Sequence, residues 1–461
     1  MSLNVAYEAL PMGNRASDQD KTSETSATTL AKPSSPLVTS LTPKQWLQIL
    51  STFIVFFNTW GLLLTFGVFQ IYYETTLLRG QPSSNISWIS TTCAFILLSA
   101  GIITGPIYDR GFYRSLLLLG SLLQVFGLMM LSLSTQYYQL FLCQAICVGL
   151  GAGAVFTPSV AAAAACLPTP AIRARAMGLM ACGSSIGMCQ TFQKRVVRTE
   201  LTNAHMRIGG IVYPIMFRYL VPQIGFPWTV RSIAFVALAL YLVSYLIFLV
   251  HQQKPPMVRR FFDTSALTDL PFMMLSVVGV FSATAYYVPL LYLPLLTEVR
   301  IPSVSSDFGF DLLAILNGTS VFGRLLAGVA AAIVGPTEVF GVSLVLGSIM
   351  LFCWIEVDSI AGTVVWSVFW GMISGVLVAL PGAFVPLFCP SIAVLGTRSG
   401  MYWAWLGLGM LIGSPIAGAI YDVKSGRSEN WRLQVFSGTF MMGAAVLCIY
   451  PILWLRRKRS N

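Results

Sequence analysis

From Ile86 to Tyr108 the chain carries no charged residue, and a second uncharged apolar run begins at Leu116. An uncharged run of that length satisfies its backbone as a helix and crosses a bilayer. The segment between the two runs, Gly105-Pro106-Ile107-Tyr108-Asp109-Arg110-Gly111-Phe112-Tyr113-Arg114, is therefore a tight polar turn at a membrane surface. Gly105 lets two helices approach closely, and Gly111 allows a backbone angle that other residues resist. Asp109 can accept hydrogen bonds from the N-terminus of a neighbouring helix, while Arg110 and Arg114 hold the turn on the anionic cytoplasmic side.

Similar runs recur along all 461 residues, which are 56% hydrophobic and only 10% charged. A water-soluble core of this length needs far more charged surface, so the chain reads as an all-α polytopic membrane protein. The net charge of +11 does not imply nucleic acid, because the basic residues sit in short loops and act as orientation signals. With two histidines and nine cysteines at no metal-ligand spacing, neither a metal site nor a cofactor is expected.

The turn resembles the loop between the second and third helices of the major facilitator superfamily, written G-x-x-x-D-[RK]-x-G-[RK]-[RK]. Gly105, Asp109, Arg110 and Arg114 match, and the second glycine comes one place early, at Gly111. Trp60-Gly61 with Phe66 to Tyr73 resembles the first helix of fungal monocarboxylate-porter-like members. The resemblance implies a major facilitator fold of 12 transmembrane helices in two six-helix halves, moving a small molecule by alternating access.

Residues 1–43, rich in Ser, Thr, Ala and Pro, cannot bury a core and read as a disordered cytoplasmic tail. Twelve spans follow, at about 46–73, 86–108, 115–133, 138–166, 174–221 (interrupted), 229–250, 271–296, 308–334, 339–356, 361–388, 393–421 and 431–455. Residues 251–270, with Lys254-Pro255-Pro256 and Arg259-Arg260, form a cytoplasmic linker. It separates an N-terminal half (44–250) from a C-terminal half (271–456), with a short tail at 457–461. Most Lys and Arg fall on the side of Arg110, Arg173, Arg398 and Arg456 to Arg459, which puts both termini in the cytosol; the expected location is the plasma membrane.

The fifth span is anomalous. Residues 188–209 bring Lys194, Arg195, Arg198, Glu200, His205 and Arg207 to the middle of a bilayer, where each charge costs roughly 2.5–3.5 kcal/mol. Joined without them, Gly183-Ser184-Ser185-Ile186-Gly187 and Gly210-Ile211-Val212-Tyr213-Pro214 read as one helix that resembles the superfamily's fifth. Two readings remain, a polar loop or a translated intron; available codons could spell splice signals at both edges.

Intramembrane charge is where function is sought, since it is costly unless used. Arg324 lies inside the otherwise apolar eighth span, with Asn317 and Ser320 on roughly the same face. In monocarboxylate porters an arginine at the matching place binds the substrate carboxylate, which implies an anion-binding role here. The family's acid one turn earlier is Ser320 and its first-helix lysine falls near Leu64, so steep proton coupling through this span is not expected. Asn58, Gln144 and Tyr287 are further candidates for the substrate path. Gly105, Asp109, Arg110, Gly111 and Arg114 are candidates for gating.

Together these features describe a monomeric transporter of a small organic molecule, a carboxylate or a secondary metabolite, with efflux favoured over uptake. Its partners are that molecule and the lipid bilayer, not nucleic acid. The alternatives are a transporter-like membrane sensor, or a product disabled by the insert. An enzyme is not expected, because the sequence offers no paired carboxylates and no nucleophile beside a base.

Overall fold

The computed structural model describes residues 41–81, 83–188, 213–250, 263–301, 306–420 and 431–460. The N-terminal tail, most of the linker and residues 189–212 of the anomalous segment lie outside the described residues. All regular structure among the described residues is helical.

The chain winds through α1 (Pro43–Leu77), α2 (Asn85–Asp109), α3 (Tyr113–Leu131) and α4 (Tyr137–Cys166). Next come α5 (Pro170–Met188) and α6 (Tyr213–Val250). The remainder is α7 (Leu270–Arg300), α8 (Ser306–Ile333), α9 (Pro336–Cys353), α10 (Ile360–Phe388), α11 (Leu395–Ile420) and α12 (Trp431–Ser460). Eleven of these are long and apolar enough to cross a membrane; α5 is not among them.

Where α5 falls short, α6 supplies more than one span needs. It breaks at Gly225, whose φ of 77° is open mainly to glycine, into residues 213–224 and 226–250. The two short pieces climb α1 in order. The Cβ position of Gly183 abuts the Phe53 carbonyl, Tyr213 packs its ring 5.1 Å from that of Phe57, and Phe217 stands 4.2 Å from Phe69.

The side chains invert the soluble pattern. Leu119 and Phe126 of α3, Val342 and Ile349 of α9, and Val446 of α12 point outward and are exposed, while polar side chains such as Asn58, Gln124 and Ser348 are buried within the bundle. Such an exterior suits hydrocarbon and not water.

Inside the first half, a polar chain ties three helices, α1, α3 and both pieces of α6. The Asn58 amide donates to Ala237 O (3.2 Å) and its Oδ1 accepts from Tyr213 OH (2.6 Å). Gln124 donates to Asn58 O (2.8 Å) and accepts from Tyr241 OH (2.6 Å). In the second half, Ser348 donates to Gly438 O across α9 and α12, and Thr284 to Gly409 O across α7 and α11. Each buried donor that finds a carbonyl in this way avoids a desolvation penalty of about 1–3 kcal/mol.

Candidate functional site: two seams and a central cavity

Two seams join the halves, and both lie between the middle of the bundle and the end that carries Arg110 and Arg398, here called the basic end. The first is α2 against α11. Gly101 and Gly105 face Gly400 and Gly396, four residues apart on each helix, and a Cβ on any of them would strike the opposing backbone. Small residues at that spacing let two helices touch backbone to backbone in lipid.

Asp109 closes this seam. Its Oδ1 accepts from the Gly396 N–H (2.9 Å), and its Oδ2 from the Thr397 N–H (2.7 Å) and Thr397 Oγ1 (2.7 Å). The carboxylate sits at the start of α11, where free N–H groups and the helix dipole both favour negative charge. Gly111 then turns the chain into α3 with a φ of 92°. Arg110 is exposed beside it and Arg114 half-buried.

One turn into α11, Arg398 anchors the seam from the other side. It bonds Asp263 (2.9 Å) and Asp269 (2.6 Å) and donates to Phe388 O. Burial alone would push the Asp263 carboxyl up. Hydrogen bonds from Ser265 and Arg398, with the arginine's charge, outweigh it and hold the carboxyl below its ordinary value.

The second seam is α5 against α8. Arg324 is 2% exposed and reaches across to donate from one terminal nitrogen to Ala181 O (2.6 Å) and Ser184 Oγ (2.6 Å). One turn earlier, Ser320 Oγ meets Ser185 Oγ at 2.6 Å. The Arg324 Nε has no hydrogen-bond partner among the described residues.

Above the seams lies a cavity of about 40 Å³, walled by Phe56 and Trp60 of α1, Phe156 of α4, Ser282 and Tyr286 of α7, Leu377 and Pro381 of α10, and Trp403 and Met410 of α11. Phe156 links the halves edge-on, 5.2 Å from Phe56 and 5.2 Å from Trp403. Among the described residues, no charged side chain lines this space. It is far smaller than the ~300–1,000 Å³ that a drug-sized ligand occupies, so the halves must separate to load one.

The expected site residues are distributed differently from the sequence reading. Asn58 is wholly buried in the first half's polar network, and Gln144 accepts from Tyr73 OH at 2.6 Å; neither is on the wall of this cavity. Their amide groups are already engaged by neighbouring helices. Asn317 bonds back to Leu313 O of its own helix (2.7 Å) and likewise stays off the cavity wall. Tyr287 is replaced at the wall by its neighbour Tyr286. Arg324 binds helix α5 and is not a wall residue, although it lies within electrostatic reach of Tyr286.

Phe56, Phe156 and Pro381 were not anticipated. A residue inside an apolar run gives no sign of which way it faces, and only the intrahelical prolines Pro158 and Pro381 marked these levels as irregular.

Two groups of helices that enclose a midplane cavity and meet tightly at one end form the architecture of an alternating-access carrier. The chain belongs to the major facilitator superfamily. A family profile described as Major Facilitator Superfamily matches residues 49–189. An MFS-type transporter of Emericella nidulans, dbaD, is 35% identical over 88% of this chain and 85% of its own length. The Fujikurins efflux protein of Gibberella fujikuroi is 32% identical over 90% of this chain and 83% of its own. Among solved structures, the E. coli fucose:proton symporter superposes with a TM-score of 0.63 at 11% identity, covering 87% of this chain and 98% of that one. The protein is a multi-pass membrane transporter and not an enzyme.

Proposed function

We propose that the protein exports a small, largely apolar secondary metabolite. The observation that carries this reading is the wall of the central cavity, where Trp60, Phe156, Tyr286 and Trp403 offer aromatic faces and no charge. Flat, conjugated molecules bind such faces by stacking and apolar burial. A relative named for efflux, the Fujikurins efflux protein, supports the direction.

In this reading the basic end faces the cytosol of the producing cell, both termini lie there, and the protein works as a monomer in the plasma membrane. The conformation described is closed at that end by the two seams. Opening them admits substrate to the aromatic space, and Arg324, freed from α5, can meet an acidic group on it. Asp109 and its turn govern the first seam.

The fifth crossing is read as α5 continued by residues 213–224, with residues 188–209 an insert between them. The successive contacts of Gly183, Tyr213 and Phe217 along α1 support this, as does the cost of the insert's charges in hydrocarbon. Transcript sequencing decides the origin of the insert. Retention of its codons in mature messenger RNA, with loss of transport on deletion, would make it a functional loop.

The functional test compares a producing strain with one lacking the gene, by mass spectrometry of cells and medium. One metabolite should accumulate inside the deletion strain and be depleted outside. A metabolite taken up more slowly by the deletion strain would overturn the direction. Equal profiles in every compound would overturn export altogether.

A further inference from the structure

We propose that the outward groove between α9 and α12 is a binding site for a phospholipid whose headgroup carries a primary ammonium. The groove measures about 680 Å³ and is apolar along most of its length, with Val342, Leu346, Met442, Val446 and Ile449 among its walls. It runs from Glu338 to Leu346 on α9 and from Arg456 back to Met442 on α12. Those stretches are about 12 and 21 Å of helix, which brackets one leaflet of a hydrocarbon core ~30 Å thick. The space therefore suits an acyl chain lying along the bundle.

The headgroup end is built from opposite charges. Glu338 is 7% exposed. Its Oε1 accepts from Arg459 (3.2 Å) and lies 3.9 Å from Arg456 Nε. Its Oε2 is buried with no hydrogen-bond partner among the described residues, a loss that an incoming N–H group would repair. The two arginine side chains are themselves 63% and 51% exposed, leaving donors of their five-donor forks turned outward for a phosphate.

An inner acceptor beside outer donors matches an ammonium joined to a phosphodiester. A choline headgroup has no N–H to give Oε2. A glycerol headgroup has hydroxyls to donate but no positive charge to set against the Glu338 carboxylate. Lipid in this groove does not depend on what the central cavity carries.

The test is native mass spectrometry of the purified full chain in detergent, titrated with phosphatidylethanolamine, phosphatidylcholine and phosphatidylglycerol of identical acyl chains. One charge-assisted hydrogen bond predicts an ethanolamine preference of about tenfold or more. Adding one, two and three methyl groups to the amine of the lipid should abolish the preference only at the third, with the wild-type protein throughout. E338Q should bring the three lipids close to parity, and V446W, which fills the groove away from the charges, should weaken all three.

Equal retention of the three lipids by the wild type would overturn the proposal. So would a glycerol-headgroup preference, no effect of the third methyl group, or a dimer that shields the groove from lipid. If E338Q proves unstable, the methylation series and V446W decide the matter alone.

Discussion

The two seams between the halves are built on opposite chemistry. At α2/α11 a carboxylate from the first half, Asp109, is met by three donors from the second, and glycines bring the backbones into contact. At α5/α8 a guanidinium from the second half, Arg324, finds two acceptors on the first, while its Nε has no partner among the described residues. Buried charge is tolerated when its hydrogen-bonding capacity is filled. The first seam fills it, and in the cycle proposed above it is the firmer of the two latches. The second does not fill it, which leaves Arg324 available to a better partner once the helices part.

Breaking the backbone contact gives the largest effect. Gly105→Leu places a branched side chain against the Gly396 carbonyl, so the basic end should fail to close and export should fall at least ~100-fold, with ~3 kcal/mol of overpacking. Normal export from a correctly inserted variant would show that the glycine contact is dispensable.

Arg324→Ala should come next, at roughly tenfold to a hundredfold, since it strips the donors from Ala181 O and Ser184. Arg324→Lys keeps the charge but not the fork, and should recover only part of the loss. Wild-type transport by the alanine variant would show that Arg324 has no part in the cycle.

Asp109→Asn keeps the shape and loses the charge. With one acceptor oxygen in place of two, it should weaken the latch by about 1–2 kcal/mol and shift the population toward the form open at the basic end. Initial rates with and without a trapped substrate would reveal this as a change in turnover greater than the change in apparent affinity.

The smallest effect concerns Asp263, whose carboxyl is held below its ordinary value. A depressed folded-state pKa gives stabilisation that is complete above the unfolded value, ~3.9, and is lost as pH falls through the folded one. Melting temperature should therefore drop more steeply below pH ~4 in the wild type than in Asp263→Asn. Parallel curves would show that its bond to Arg398 contributes nothing.

Much of the fold was legible because hydrocarbon imposes a simple rule on sequence. Uncharged runs near twenty residues must be helices, and Lys and Arg mark their ends. The turn at Gly105 to Arg114 was readable for the same reason. Its Asp is one of few acids near an apolar run, and a helix N-terminus is the partner such a carboxylate finds.

The cavity was not legible, because facing inside a uniformly apolar helix is set by packing. Residues 57–61 of α1 form a π turn, which inserts one residue and rotates the rest of the helix by about 100°. Asn58 thereby engages Tyr213 while Trp60 reaches the cavity. Arg324 is similar: its charge announced importance, but its reach to Ala181 and Ser184 depends on how two distant helices meet.

The most direct test of the closed seams uses Cys182 of α5, buried with its Sγ 3.7 Å from Val321 O of α8. With the other cysteines replaced, a membrane-impermeant thiol reagent is applied at the basic end and its reaction rate followed. Labelling should be slow in the wild-type background and markedly faster when Asp109→Asn or Arg324→Ala is added. Fast labelling in the wild-type background, unchanged by either substitution, would contradict the claim that these two charges hold the basic end shut.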